Sequence, residues 1–299
     1  MLDCLIVGAG PAGLTSAMYL KRNNLDILVL EKNAPGGALL STASIQNYPG
    51  YEDIDGSELA TNMFMQAKKL GVKVKREEVL SIDKLDNHFS IKTNKGEYLA
   101  SNVILALGLS HKKLGLAKEE RFSGRGISWC AICDGYLYKD KEVCVVGGGN
   151  SSLEESLYLS KICSKVHLIH RRDEFRADKY FVDKVLNTDN IVLHLNSNVI
   201  DIVGEDNIEA VVIKNKDNQI TEIKCSCLFE FIGFEAKTEF LKELDICNEQ
   251  GFILVDNDFM TKHNGLYAIG DCIDKKVRQI ANAVGDAATA SSILSTRIK

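Results

Sequence analysis

Two stretches of the chain share one rhythm: a short apolar run, a cluster of glycines, apolar positions at helical spacing, then a second apolar run. In the first stretch, Leu2-Asp3-Cys4-Leu5-Ile6-Val7 predicts a strand buried on both faces, as in a parallel sheet. Gly8-Ala9-Gly10-Pro11-Ala12-Gly13 follows; Leu14, Ala17, Met18 and Leu20 then mark a helix, and Ile27-Leu28-Val29-Leu30 a strand that ends in Glu31. In the second stretch, residues 142–146 read as the strand, Gly147-Gly148-Gly149-Asn150-Ser151-Ser152 as the turn, residues 153–160 as the helix and 165–170 as the next strand. Elsewhere the pattern predicts a helix over 57–70 and short strands around Val74, at 89–92 and at 97–99. It also predicts a strand at 103–106, a buried strand over 266–271 that runs into an acidic turn, and a closing helix rich in small residues over 279–292.

This order predicts an α/β chain of two Rossmann-like, three-layer dinucleotide-binding domains. The last strand-loop-helix piece has no phosphate fingerprint, so it is expected to complete the first domain, with the second domain inserted. The expected boundaries are 1–111 with 241–299 for the discontinuous domain, and 112–240 for the insert. The connections fall near 108–116 and 233–241.

The glycine clusters carry chemistry because each position has a task. In the G-x-G-x-x-G unit Gly8 permits the tight turn, Gly10 lets the backbone approach a pyrophosphate, and Gly13 lets helix and strand pack closely. The helix start offers unpaired amides to phosphate, and Glu31 can accept a hydrogen bond from a ribose hydroxyl. In the second unit Ser152 stands at the third glycine position and no carboxylate ends the following strand, which runs instead into His170-Arg171-Arg172-Asp173-Glu174-Phe175-Arg176. A carboxylate would repel a 2′-phosphate, whereas guanidinium groups bind one with charge-assisted hydrogen bonds, so this site favours NADPH over NADH.

The 299 residues are 45% hydrophobic and 26% charged, with a formal net charge of −5. That balance suits a globular protein and gives no basic footprint, so nucleic acid and anionic membranes are not expected as partners. No apolar run reaches the roughly 18–20 residues that span a bilayer. The N-terminus enters a strand without a signal-peptide pattern, which predicts a cytoplasmic protein. Among the nine cysteines, Cys4, Cys144 and Cys163 sit in apolar segments and read as small buried hydrophobes. Cys225 and Cys227 are expected to share one face of a strand, and with no histidine nearby no metal site is expected. Cys130-Ala131-Ile132-Cys133-Asp134 alone has the spacing of a redox pair, and its place between two nucleotide fingerprints suggests electrons passing from one nucleotide through another into a disulfide.

Taken together, the chain resembles the low-molecular-weight (bacterial-type) thioredoxin reductases of the class II pyridine nucleotide-disulfide oxidoreductases. The resemblance runs essentially the whole length. It rests on residues 8–13, Gly36-Gly37, Asn47-Tyr48-Pro49-Gly50, the run from Gly124 to Trp129 leading into Cys130, residues 147–155, the His170 to Arg176 box, Gly270-Asp271 and Arg278-Gln279. It departs from the family's usual residues at Ala38, Leu107 and Ile132 and along Gly233-Phe234-Glu235-Ala236-Lys237.

The resemblance implies FAD in the discontinuous domain, NADPH in the insert and a homodimer. FAD would be held by Gly8, Gly10, Pro11, Ala12, Gly13, Glu31, Gly36, Gly37, Asn47, Asp271, Arg278, Gln279 and Ile280. NADPH would be held by Gly147, Gly149, Asn150, Ser151, Ser152, His170, Arg171, Arg172 and Arg176. It further implies that Cys133 faces the flavin, that Cys130 attacks the disulfide of thioredoxin or a thioredoxin-like protein, and that Asp134 moves protons. A helix N-cap is the other role open to Asp134. The insert would rotate between half-reactions about hinges near 109–114 and 233–236. Three other readings stand beside this one. The first is a reductase of the same fold fed by ferredoxin or another carrier, which would be expected to lack the arginine box; the second is a small-molecule dithiol oxidase that runs the chemistry toward oxygen; the third is a non-catalytic FAD-binding redox sensor.

Overall fold

The computed structural model describes residues 1–298 apart from Ala43, Ser44, Gln46 and Gly124, with Ser41 and Cys133 described by backbone alone. The chain divides into two compact units, Met1–Ser110 with Glu235–Lys299, and His111–Phe234. The second division falls at 234/235 rather than 240/241. The reason is packing: Ala236 joins the first unit's core beside Leu241, Leu244 and Ile246.

In the first unit the strands Val74–Arg76, Ile27–Glu31, Leu2–Val7, Glu97–Leu105 and Leu266–Ala268 lie side by side and parallel. Alternate side chains of Leu2–Val7 go to opposite faces. Cys4 and Ile6 pack with Leu14, Ala17 and Leu20 of the helix Pro11–Arg22 and with Ala287 and Leu294 of the closing helix Ile280–Ile298. Leu5 and Val7 pack on the other side with Leu105, Leu241 and Ile246.

The strands expected at 97–99 and 103–106 are one nine-residue strand, Glu97–Leu105. It serves two partnerships: its first half pairs antiparallel with Phe89–Thr93, and its second half pairs parallel with Leu2–Val7. Pairing of Leu2–Val7 with both Ala100 and Asn102 carries the strand across the polar Ser101-Asn102 step and joins the two halves. The last strand is shorter than expected, Leu266–Ala268, because Gly270 turns the chain into a single 3-10 turn, Gly270–Cys272.

The second unit carries the parallel strands Ile191–His194, Lys165–Ile169, Glu142–Gly147, Leu228–Phe231 and Ile127–Ser128. The helices Asn150–Ser160 and Lys179–Leu186 cover one face, where Val143, Val145, Leu153, Leu159 and Phe229 meet. A three-stranded antiparallel sheet, Ser197–Val203, Ala210–Asn215 and Ile220–Lys224, covers the other through Ile202, Val211, Ile213 and Cys144. Cys225 and Cys227 do not share a face: they lie in the link between two strands, and Cys225 packs with the antiparallel sheet while Cys227 packs on the helical side. Both are free and buried, as are Cys4, Cys144 and Cys163.

Where the chain enters and leaves the second unit, Ser110–His111 and Phe234–Glu235 pair as a two-stranded ribbon. Within the second unit the Lys112 amide donates to the Gly233 carbonyl at 2.9 Å, and His111 and Phe234 lie ring to ring at 4.8 Å. Among the described residues no helix is long and apolar enough to cross a membrane.

Candidate active site

The first glycine turn is fixed by close backbone approach. Gly8 has φ +105°, and a Cβ there would stand 2.2 Å from the Ala106 carbonyl oxygen. A Cβ on Gly13 would stand 1.9 Å from the oxygen of Gly8, so helix and strand touch only because that residue has no side chain. Gly10 and Gly37 face each other, a Cβ on Gly37 reaching to 3.2 Å of the Gly10 Cα, which leaves a cradle of bare backbone. Gly36 holds it by donating its N–H to the Ala9 carbonyl at 2.8 Å.

Pro11 opens the helix, no side chain caps it, and its first turn holds no acid. Its amides and its positive dipole end are therefore available to an anion. Glu31 accepts from the Ala9 amide at 2.8 Å and from the Asn33 amide at 2.9 Å, so its carboxylate stands at the edge of the turn.

The end of the chain returns to the same place. Ala12 packs beneath Gly270, where a Cβ would come within 3.1 Å of the alanine methyl. Beside it Asp271 has one buried oxygen, Oδ1, with no hydrogen-bond partner among the described residues, and burial raises its carboxyl above the ordinary range. A buried acceptor left unpaired costs about 1–3 kcal/mol, which marks it as a place for a donor from outside the chain. Arg278 donates from Nε to the Asp271 carbonyl at 3.2 Å and lies over the Phe252 ring. Gln279 accepts from Asn47 Nδ2 at 3.0 Å, and Ile280 begins the closing helix. The structure thus brings Gly10, Ala12, Gly37, Glu31, Asn47, Asp271, Arg278, Gln279 and Ile280 into one unit.

The second turn reaches the same closeness with a serine. A Cβ on Gly147 would stand 2.5 Å from the Ser152 Cβ, and the buried Ser152 donates its hydroxyl to the Gly149 carbonyl at 2.8 Å. The helix Asn150–Ser160 has no side-chain cap and no acid in its first turn. Asn150 is held by Asp178 in a mutual pair of bonds at 2.8 and 2.7 Å, while Ser151 is exposed. Arg171 and Arg172 are exposed at the end of the neighbouring strand, and the Arg176 amide ties to the Gly148 carbonyl at 2.8 Å. His170 is placed differently. It is buried, shares a 3.0 Å hydrogen bond with the Glu174 carbonyl through Nε2, and stacks on Phe175, with burial holding its pKa down. A Cβ on Gly148 would strike its ring at 2.1 Å, so His170 shapes the turn from below while the three arginines flank it.

The dithiol segment follows the short strand Ile127–Ser128. Cys130 is disulfide-bonded. Cys133 lies on the one-turn helix Ala131–Asp134, and its side chain is outside the described residues. Asp134 does not cap a helix; its carboxylate accepts from the Ser128 hydroxyl at 2.6 Å, and the same hydroxyl oxygen accepts the Cys130 amide at 3.1 Å. Ser128 therefore connects the acid to the backbone of the redox cysteine, a role nothing in its local sequence announces.

Glu155 is a second group that sequence reading did not single out. From the nucleotide-turn helix its carboxylate accepts from the amides of Ala131 and Ile132, and burial, with Glu154 nearby, pushes it up to about 7. Around the dithiol the apolar side chains of Ile132, Tyr136 and Leu137 are exposed.

This geometry is that of a nucleotide-linked disulfide oxidoreductase, and the chain belongs to the pyridine nucleotide-disulphide oxidoreductase family, which it matches over residues 2–287. Within that family it is 43% identical over 291 residues to the thioredoxin reductase of Mycoplasma genitalium, covering 96% of this chain and 92% of that protein. To the thioredoxin reductase of Bacillus subtilis it is 37% identical over 291 residues, covering 97% of this chain and 92% of the relative. The solved structure of Lactococcus lactis thioredoxin reductase in its FR conformation superposes with a TM-score of 0.87 at 37% identity, covering 100% of this chain and 99% of that one.

Proposed function

We propose that this chain reduces the disulfide of thioredoxin or a thioredoxin-like protein, taking electrons from NADPH through FAD and passing them out at Cys130 and Cys133. The observation that carries this reading is the disulfide-bonded Cys130 on the same unit as an uncapped glycine turn flanked by Arg171 and Arg172. The first unit fits FAD. Its bare-backbone cradle at Gly10 and Gly37 and its uncapped helix start suit a pyrophosphate, and the unpaired Asp271 oxygen suits a ribityl hydroxyl. Bound FAD supplies a two-electron relay between a hydride donor and a disulfide.

The chain's own residues do the rest. Arg171, Arg172 and Arg176 bind the 2′-phosphate, while the amides at the start of helix Asn150–Ser160 bind the pyrophosphate. In the reduced dithiol, Cys130 as thiolate attacks one sulfur of the partner's disulfide and forms a mixed disulfide. The Cys133 thiolate then attacks the Cys130 sulfur, restoring the internal disulfide and releasing the partner as a dithiol. Two electrons leave the enzyme, and the partner's two sulfurs take up two protons. Asp134, held by Ser128, moves protons at the dithiol. The exposed apolar group Ile132, Tyr136 and Leu137 suits a partner protein rather than a small solute.

The insert turns about 109–114 and 233–236 between taking electrons and delivering them; Gly108 at φ +61° and Gly233 at φ +104° supply backbone freedom at or beside both crossings. The protein works as a cytoplasmic homodimer, a reading supported by its unpaired buried thiols and by Leu40, Tyr51 and Met65, which remain exposed on the first unit. Anaerobic addition of NADPH, and separately of NADH, to the FAD-loaded protein tests the reading: NADPH should bleach the flavin absorbance at far lower concentration. Failure of NADPH to bleach it, or bleaching by reduced ferredoxin alone, would overturn NADPH as the donor.

A further inference from the structure

Glu230 is buried in the strand Leu228–Phe231, 1% exposed, at a position that the electron path does not use. Its Oε2 accepts from the indole Nε1 of Trp129 at 3.0 Å, and Trp129 immediately precedes Cys130. Its Oε1 is buried, and among the described residues no donor reaches it. What faces it is another buried carboxyl, Glu119. The Glu119 oxygens are already engaged as acceptors, Oε1 from the Leu114 amide at 3.0 Å, and Oε2 from the Gly115 amide at 2.7 Å and the Leu116 amide at 3.0 Å. Two carboxylates meeting in a buried site would repel each other and leave an acceptor unpaired. A single proton on Glu230, donated to Glu119, removes both costs. Burial and the neighbouring Glu119 push the Glu230 carboxyl up to about 8, with the Trp129 N–H and the Lys113 ammonium opposing.

The surroundings give that proton a reach beyond the pair. The Trp129 ring is stacked on His111 at 6.0 Å, and His111 lies against Phe234 at 4.8 Å. His111 and Phe234 are the first and last residues of the second unit. Glu119 fastens residues 114–116, just inside the entry. The loop that presents Cys130, the entry and the exit thus all lead to one carboxyl pair.

We propose that the proton shared by Glu230 and Glu119 is a positioning element for disulfide exchange, holding Trp129 and with it the backbone that presents Cys130. The proposal rests on the disulfide-reductase reading above. Loss of the proton places two negative charges in a buried contact, and their repulsion displaces the Glu230 carboxylate that fixes the Trp129 indole. Electron delivery to the protein disulfide then falls on the alkaline side, while uptake from NADPH, which depends on the arginine-flanked turn, is untouched.

Trp129 is the single tryptophan of the chain, so its emission reports the pair directly. In the oxidised, FAD-loaded enzyme the dithiol does not titrate. The remaining ring partner, His111, has its pKa held below the ordinary histidine value by burial, so its transition lies on the acid side. The expected result is an emission change with a midpoint near pH 8, the value set by burial and Glu119. Glu230→Gln, whose amide donates to Glu119 and accepts from Trp129 without titrating, should abolish that transition. It should also keep thioredoxin reduction at pH 7 within about twofold and remove the alkaline fall in kcat. Glu230→Leu should lower kcat by roughly tenfold at unchanged KM for NADPH, within the range that misplacing a reacting group costs.

The absence of a Trp129 transition between pH 7 and 9, or its persistence in Glu230→Gln, would overturn the proposal even if Glu230→Leu fails to fold. Failure of NADPH to bleach the flavin would sink the reductase reading instead, and the emission titration would still decide the carboxyl pair.

Discussion

The two glycine turns meet one steric demand and offer opposite charges. In the first, Gly13 lies so close to Gly8 that no side chain fits, and the turn is edged by the carboxylate of Glu31. In the second, the place of the third glycine goes to Ser152, whose hydroxyl closes back on Gly149, and the edge is lined by Arg171 and Arg172. The first turn is also completed from far along the chain by Asp271, Arg278 and Gln279, whereas the side chains of the second come from residues 142–178, with only the Phe231 backbone reaching Gly147 from outside. A site assembled from both ends of a chain suits a cofactor that stays. A locally built, arginine-edged site suits a cosubstrate that binds and leaves.

That contrast can be broken in order of severity. Gly13→Val should be the harshest change, because its side chain meets a backbone oxygen that has nowhere to move. Overpacking of this kind costs about 1–3 kcal/mol even where neighbours can give, and the purified protein should contain no FAD by absorbance.

The pair Arg171→Glu and Arg172→Glu should raise KM for NADPH by at least about 100-fold, since each lost charge-assisted bond is worth roughly 1.5–3 kcal/mol. FAD content should stay normal and the preference should move toward NADH. If NADPH is used as before, the arginines do not read the 2′-phosphate.

Asp271→Leu should weaken FAD retention about tenfold, the loss of one buried hydrogen bond, as measured by dialysis against FAD-free buffer. KM for NADPH should not follow it.

Glu155→Gln gives the smallest effect, and it depends on pH. The folded-state carboxyl of Glu155 is pushed up to about 7, so the folded chain binds the proton more tightly than the unfolded chain. The stability this brings is complete below the ordinary glutamate range and is lost as pH rises through about 7. The variant's apparent melting temperature should therefore gain on the wild type between pH 5 and 8, by no more than roughly 2–4 °C.

Much of this organisation is readable in the sequence because it is local. Buried parallel strands such as Leu2–Val7 and Glu142–Gly147 appear as apolar runs, and the glycine turns appear as glycines because bare backbone is a demand made by immediate neighbours. The sheet of Ser197–Val203, Ala210–Asn215 and Ile220–Lys224 was not read from the pattern. Its last strand exposes three residues in succession, Ile220, Thr221 and Glu222, so the expected alternation is missing. The long strand Glu97–Leu105 reads as two because Phe89–Thr93 stops at Ala100 and Leu266–Ala268 starts at Val103, and only Leu2–Val7 carries pairing across the polar step between them.

The supporting groups of the site were equally silent. Ser128, Glu155, Glu119 and Glu230 have ordinary sequence neighbours, and their importance comes from what folding brings to them. Glu230 meets Trp129 across 101 positions of chain. The opposite case is His170, whose place in the arginine box suggests a ligand contact but whose ring fills the space beneath Gly148.

The ribbon formed by Ser110–His111 and Phe234–Glu235 has a consequence in polymer terms. A flexible loop costs entropy that grows with the logarithm of its length, about 0.6 kcal/mol for each doubling. An insert whose first and last residues already lie against each other, with the Lys112 amide bonded to the Gly233 carbonyl, closes like a hairpin whatever its length. To the sheet that receives it, the whole nucleotide-binding insert is a tight turn. Replacing residues 111–234 with a short glycine-containing turn should leave the first unit able to fold and to hold FAD, and a different domain with adjoining ends should be accepted at the same junction.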